Sequence, residues 1–203
     1  TLGTVTVIRG LMMYITNGSW MTIRSEGFIA FGKIKIFEIA LADGGVTGFP
    51  IQLLLMIGIA LLTWFILKYT SFGRGVYAIG GNVVSAERIG YNVSRIQIMI
   101  YSYLGLVSGF AAFVHTSIIK QVDPNAFSGY ELQVIAAVVL GGANITGGYG
   151  SIAGSLLGVL MLGILNNGLT LLKISTYWQS IVMGIIILIA VSIDVIQRGR
   201  NEK

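Results

Sequence analysis

The 203-residue sequence has no cysteine, only two prolines and one histidine, and charged side chains make up 10% of it. Without cysteine there is no disulfide framework and no thiolate chemistry. One histidine and eight scattered carboxylates leave no metal-ligating spacing such as HExxH. No Ser/His/Asp set or paired carboxylates supply the constellation a membrane enzyme would need. No GxxxxGK[ST] run is present, so the chain does not bind ATP through a loop of that kind. No cofactor or metal is therefore expected on this chain. Soluble domains carry about 25% charged residues, and the shortfall excludes an ordinary soluble domain.

What is present is apolar. Hydrophobic residues make up 55% of the chain and the mean hydropathy is +0.84. They gather into runs long enough to cross hydrocarbon. These runs do not alternate polar with apolar as barrel strands do. The expected fold class is an all-α polytopic membrane protein, one transmembrane domain over 1–203 with about five to six hydrophobic segments, some short or discontinuous. The net charge of +5 then reflects Lys and Arg beside a bilayer rather than a nucleic-acid surface. The chain starts at Thr1 with neither an initiator Met nor a signal-peptide pattern, and reads as a fragment that begins inside a larger protein.

Residues 1–16 are apolar but interrupted by Arg9 and Gly10, too short to cross and suited to a truncated span or a re-entrant half-helix. Arg9 either lines a pathway or packs and snorkels. Residues 17–48 are mixed and charged. FGKIKIFEIA alternates weakly, as a short strand or interfacial segment does, and Asp43–Gly44–Gly45 closes it. A span follows from Phe49 to Leu67, with Pro50 expected in its first helical turn and Trp64 near its far end. Residues 68–95 break the pattern, with Lys68, Arg74, Arg88 and Arg95 against Glu87 alone. Glycines at 73, 75, 80 and 81 predict a broken loop that holds one short helix, Val83 to Ile89.

Ile96 to Ile119 is the next span, where Gly105 and Gly109 stand in GxxxG spacing for close helix approach. His115 near its outer end is a polar packing group, or else a ligand or proton carrier. Ser128 and Glu131 have capping-box spacing ahead of a short apolar run, ELQVIAAVVL, which stops at Gly141–Gly142. Non-helical backbone at membrane depth must be buried in protein or line a wet cavity. GGANITGGYG, with Asn144 within it, therefore lines a route or lies at the inner surface. Ser151 to Leu172 carries Gly154 and Gly158 on a small-residue packing face. Its Asn166 and Asn167 either bond a neighbouring helix or line a hydrophilic path. The last span is Tyr177 to Val195, opened by an aromatic pair, and a basic tail ends the chain.

Charge sets the orientation. The 68–95 loop and the tail hold seven basic residues against two acids, and the opposite side balances five against five. Positive-inside puts the loop and the C-terminus in the cytoplasm. That requires an even number of crossings between them, which holds only if the short Glu131–Leu140 segment counts as one.

Three stretches, TLGTVTVIRGL, FGRGVYAIGGNVVSAERIGYNV and ELQVIAAVVLGGANITGGYGSIAGSLLGVLMLGILNNGL, together resemble the permease subunits of sugar-type ABC importers, the group handling ribose, xylose, galactose and the autoinducer-2 furanosyl signal. The resemblance runs through nearly the whole chain and implies the C-terminal part of a longer permease in a bacterial cytoplasmic membrane. It implies pairing with a second permease subunit, an ATPase on the cytoplasmic face that binds ATP and Mg, and an outer solute-binding protein that delivers the sugar. It further implies that Gly73 to Gly90 is the coupling element that fits a groove in the ATPase. Gly73, Arg74, Gly81, Asn82, Glu87, Arg88 and Gly90 are its candidate residues, with Asn144, Asn166 and Asn167 as candidates for the path.

Two other transport classes fit less well. A potassium channel needs a TVGYG-like register of carbonyls, which GGANITGGYG lacks. Ion-coupled carriers place ionisable residues in mid-span, where this chain has almost none beyond Arg9.

Overall fold

A run of apolar residues in hydrocarbon must satisfy its backbone internally, and the helix does this within one segment. The computed structural model describes residues 2–40, 46–175, 177–186, 188 and 192 and is mostly helical. In chain order the elements are α1 (Leu2–Thr16), β1 (Met21–Thr22), α2 (Glu26–Lys33), β2 (Lys35–Ala40), β3 (Val46–Pro50), α3 (Ile51–Tyr69), α4 (Ser71–Gly81), α5 (Val83–Arg88), α6 (Val93–Ile119), β4 (Gln121–Val122), α7 (Tyr130–Leu140), α8 (Ile152–Leu171) and α9 (Tyr177–Ile186). Among the described residues, α3, α6 and α8 are long and apolar enough to cross a membrane. At about 1.5 Å per residue, the 19 residues of α3 match a hydrocarbon core about 30 Å thick. Leu53, Leu54, Met56, Ile57, Leu61, Leu62 and Phe65 of α3 are all exposed, an outward apolar surface that suits lipid and not water. The all-α membrane class expected from composition is what the chain adopts, with a minor sheet component.

The chain falls into two compact units. The first comprises Thr1–Leu62 and Ile98–Ser128, the second Thr63–Gln97 and Gly129–Lys203. In the first unit, β2 and β3 form an antiparallel hairpin that pairs Lys35 with Pro50 and Ile36 with Phe49, then shifts register before Ile39 meets Thr47. The weak alternation of FGKIKIFEIA is thus a strand over Lys35–Ala40, whereas its first three residues, Phe31 to Lys33, end α2. Its expected turn, Asp43–Gly44–Gly45, lies outside the described residues. Pro50 closes β3 immediately before α3 instead of sitting in the first helical turn. Phe28 and Phe31 of α2 pack on Phe113 of α6 with ring centroids 4.8 and 5.2 Å apart. A Cβ at Gly32 would fall on the Ser117 carbonyl, and Ser117 is fully buried.

The second unit has its core at α7 and α8. Ala136, Ala137, Leu162 and Met183 are buried together, with Leu140, Leu165 and Ile186 packed against them. The helices approach through backbone: a Cβ at Gly158 would run into the Ala137 carbonyl, and one at Gly154 into the Gly141 carbonyl. This is the small-residue packing that membrane helices use where apolar side chains gain nothing by leaving lipid. With 11 residues, α7 rises about 16 Å, roughly half the hydrocarbon thickness. The capping box expected at Ser128 is not formed. Gly129, at φ 79°, is the N-cap, with no side-chain bond, so the helix begins one residue late for Ser128 to cap it. The Ser128 hydroxyl instead accepts from Arg9 Nη1 at 3.2 Å. Of the last span, α9 covers Tyr177–Ile186. The rest of that span to Val195, apart from residues 188 and 192, and the basic tail lie outside the described residues.

The α7–α8 contact makes a testable contrast. Gly158→Ala pushes the two helices apart and should cost about 1–3 kcal/mol. Gly163→Ala, five residues on along α8, meets nothing within 4 Å and should be neutral or stabilise by up to about 1 kcal/mol. Thermal unfolding in detergent reads the difference, and equal midpoints for the two variants would contradict the backbone contact.

Candidate functional site

The basic stretch after α3 begins at a corner built by one threonine. The Thr70 hydroxyl donates to the Ile66 carbonyl at 2.6 Å, and its oxygen accepts from the Gly73 amide at 3.0 Å. The same side chain therefore ends α3 and caps α4. At the end of α3, Lys68 Nζ sits 4.9 Å from the Trp64 ring centroid and 5.5 Å from that of Tyr69, a cation–π arrangement of the aromatic and basic residues favoured at a membrane–water boundary.

Residues 71–81 correct the sequence reading. The glycines expected to break a loop lie inside α4, which is helical from Ser71 to Gly81. They are there for space: a Cβ at Gly73 would strike the Leu67 backbone, and one at Gly75 would come within 2.6 Å of Ile96 Cδ1 and 3.1 Å of the Tyr91 ring. Both glycines are buried. The one local sign of this helix in the sequence is Thr70, a residue type favoured at the N-cap.

Asn82 separates α4 from α5 and serves both. Its amide donates to the Ala78 carbonyl at 3.0 Å, and its Oδ1 accepts from the Ser85 amide at 2.9 Å. The short helix expected at Val83 to Ile89 is α5, with Ile89 as its C-cap. Gly90, at φ 94°, closes it: its amide donates to the Glu87 carbonyl and the Tyr91 amide to the Ala86 carbonyl, a left-handed helix end of the kind glycine permits. Asn92 then caps α6 by accepting from the Arg95 amide at 3.0 Å. Only Ala86 of α5 is buried, whereas Val83, Val84, Glu87 and Arg88, with Ile89, are exposed. The element thus presents apolar and charged side chains together on a short, firmly capped helix. Arg74 and Gly81 are exposed as well, and Arg74 Nη2 donates to Ser71 Oγ at 2.9 Å.

The 141–150 segment packs on this element. Asn144 is committed to the segment's own shape, its Oδ1 accepting from both the amide and the hydroxyl of Thr146 at 2.9 Å while its amide donates to the Tyr149 carbonyl. Gly147 and Gly148 are left-handed at φ 94° and 76°. On α8, Asn166 is half-buried and Asn167 exposed. Gly154 and Gly158 make the close approaches described above. At Gly105 and Gly109 no described residue of the chain lies within 4 Å of where a Cβ would stand. In the first unit, Arg9 and His115 line a cavity of about 360 Å³ together with Met12, Asp123, Pro124 and Phe127. The His115 ring lies edge-on to Phe127, with centroids 4.8 Å apart. Among the described residues no group of His, Asp and Glu could hold a metal ion.

The helices define a multi-pass membrane protein with a capped, exposed helical element between two spans. A family described as the permease component of the branched-chain amino acid transport system matches residues 1–191. The ribose import permease protein of Bacillus subtilis (strain 168) is 44% identical over 196 residues, which cover 96% of this chain and 58% of that protein. Its counterpart from Escherichia coli (strain K12) is 41% identical over 195 residues, covering 96% and 59%. The L-arabinose transport system permease protein of the same strain is 37% identical over 194 residues, covering 96% and 56%. No solved structure matches. The chain belongs to this family of transport-system permease components, and it spans a little under three-fifths of the length of these relatives.

Asn82→Ala removes the cap of α5 and should cost about 1 kcal/mol, with Asn82→Ser restoring most of it. Hydrogen exchange at the α5 amides should rise in the alanine variant and return in the serine one. Unchanged exchange in both would mean that the cap does not hold the helix.

Proposed function

We propose that the chain is part of the membrane-spanning subunit of an ATP-binding-cassette importer, forming the translocation path for a sugar or sugar-like solute. The observation that carries the reading is the α4–α5 element: two short capped helices between the spans α3 and α6, exposing Val83, Val84, Glu87, Arg88 and Ile89. Such a surface suits a protein groove better than water. The family description names branched-chain amino acids, but the relatives at 37–44% identity carry ribose and arabinose in their names, which favours a sugar.

In this reading α4–α5 faces the cytoplasm, as the excess of basic residues around it favours, and the membrane is the bacterial cytoplasmic membrane. A separate ATPase holds ATP and Mg and docks on α5, with Glu87 and Arg88 making polar contacts around the apolar Val83, Val84 and Ile89. A second permease subunit completes the path, and an extracytoplasmic binding protein delivers the solute. Closure of the ATPase pair displaces α5 and rocks the spans between outward and inward access. Energy arriving through this element agrees with spans that carry almost no ionisable residue, since a proton- or sodium-driven carrier needs such groups in mid-span.

The test is reconstitution of the full permease with its ATPase and binding protein. Val84→Asp and Arg88→Glu on the exposed face of α5 should lower ATPase stimulation by loaded binding protein about tenfold, the range of ordinary coupling free energies, while the permease still inserts. Normal stimulation in both variants would remove α5 from the coupling role. Uptake of ribose and arabinose against leucine, assayed in the same vesicles, decides the solute class.

A further inference from the structure

The contact between α4 and the 141–150 segment is made almost without side chains. A Cβ at Gly80 would fall on the Gly148 amide nitrogen. One at Gly147 would lie 3.0 Å from the Gly80 Cα and carbonyl oxygen, and one at Gly148 would lie 2.9 Å from the Gly81 Cα. Beside this, the Tyr77 hydroxyl donates to the Gly150 carbonyl at 3.1 Å. On the far side of the segment, Gly141 meets Gly154 and Gly158 meets Ala137, again backbone to backbone. On the near side, Asn82 joins the end of α4 directly to the exposed α5.

We propose that Gly80–Gly81, Gly147–Gly148 and the Tyr77–Gly150 hydrogen bond form a clasp that carries displacement of α5 into the α7–α8 pair. This rests on α5 being the docking element for an ATPase. A contact through long side chains absorbs a small shift by changing rotamers. Two backbones in van der Waals contact have no such slack, because close-packed atoms transmit strain. The polar groups fix direction as well as distance, since Tyr77 holds the segment laterally while the glycines set the spacing. Gly80, Gly81, Gly147, Gly148 and Tyr77 are thus positioning residues: they make the helix break follow the element on which force arrives.

The experiment uses the complete importer in proteoliposomes and reads sugar imported per ATP hydrolysed. Gly80→Ala wedges the clasp apart and should lower this ratio about tenfold, with Tyr77→Phe giving a smaller loss, within the usual range for coupling between sites. Stimulated ATP hydrolysis should stay near the wild-type rate, which distinguishes lost positioning from a general folding defect. An unchanged ratio in both variants, or hydrolysis and import falling in parallel, overturns the proposal. If Gly80→Ala does not assemble, Tyr77→Phe decides alone in the same way. Hydrogen exchange at amides 142–150 tests the clasp independently of transport: it should quicken in Tyr77→Phe, and unaltered exchange overturns the clasp. An importer whose wild type moves no sugar while Tyr77→Phe still quickens exchange overturns the functional reading and leaves the clasp standing.

Discussion

The second unit depends on backbones touching where no side chain fits. In hydrocarbon, apolar side chains gain little by leaving lipid for one another, so helix association relies on close packing and hydrogen bonds. Gly158 on Ala137 and Gly154 on Gly141 bring α7 and α8 together. Gly73 on Leu67 sets the α3–α4 corner, and Gly80 against Gly148 seats the helix break on α4. A methyl group at any of these positions would have to displace backbone. Ordinary core packing plays a smaller part, with Ala136, Ala137, Leu162 and Met183 as its main members.

The same constraint explains how a half-length helix is held. Standing alone, α7 is too short to cross a bilayer, and its C-terminal carbonyls would be left facing hydrocarbon. The chain turns there through Gly141 and Gly142 and then folds its polar groups inward. Asn144 accepts twice from Thr146, and the Asn144 amide reaches the Tyr149 carbonyl. Asn144 is thereby occupied with holding its own segment, a role that its position among glycines did not announce.

Span positions were legible in the sequence because hydropathy and length alone determine them: α3, α6 and α8 fall within three residues of the expected boundaries at each end. The strand in FGKIKIFEIA was legible from its alternation. The helix α4 was not, because glycine has low helix propensity and four of them in eleven residues read as a break. Tertiary contacts overrode that propensity, and contacts between residues seventy apart leave no local trace. The capping box at Ser128 failed for a related reason. The motif was present, but Gly129 took the cap position in a left-handed conformation that only the three-dimensional path explains.

The six-residue α5 has a thermodynamic consequence. An isolated helix of that length is not stable in water, so its order is drawn from Asn82 before it, Gly90 after it and the single buried methyl of Ala86. Any protein that docks on α5 selects its folded form. Its apparent affinity is then scaled by the fraction of time that this turn is formed. By holding the ends of the helix, Asn82 and Gly90 therefore help set how tightly it binds.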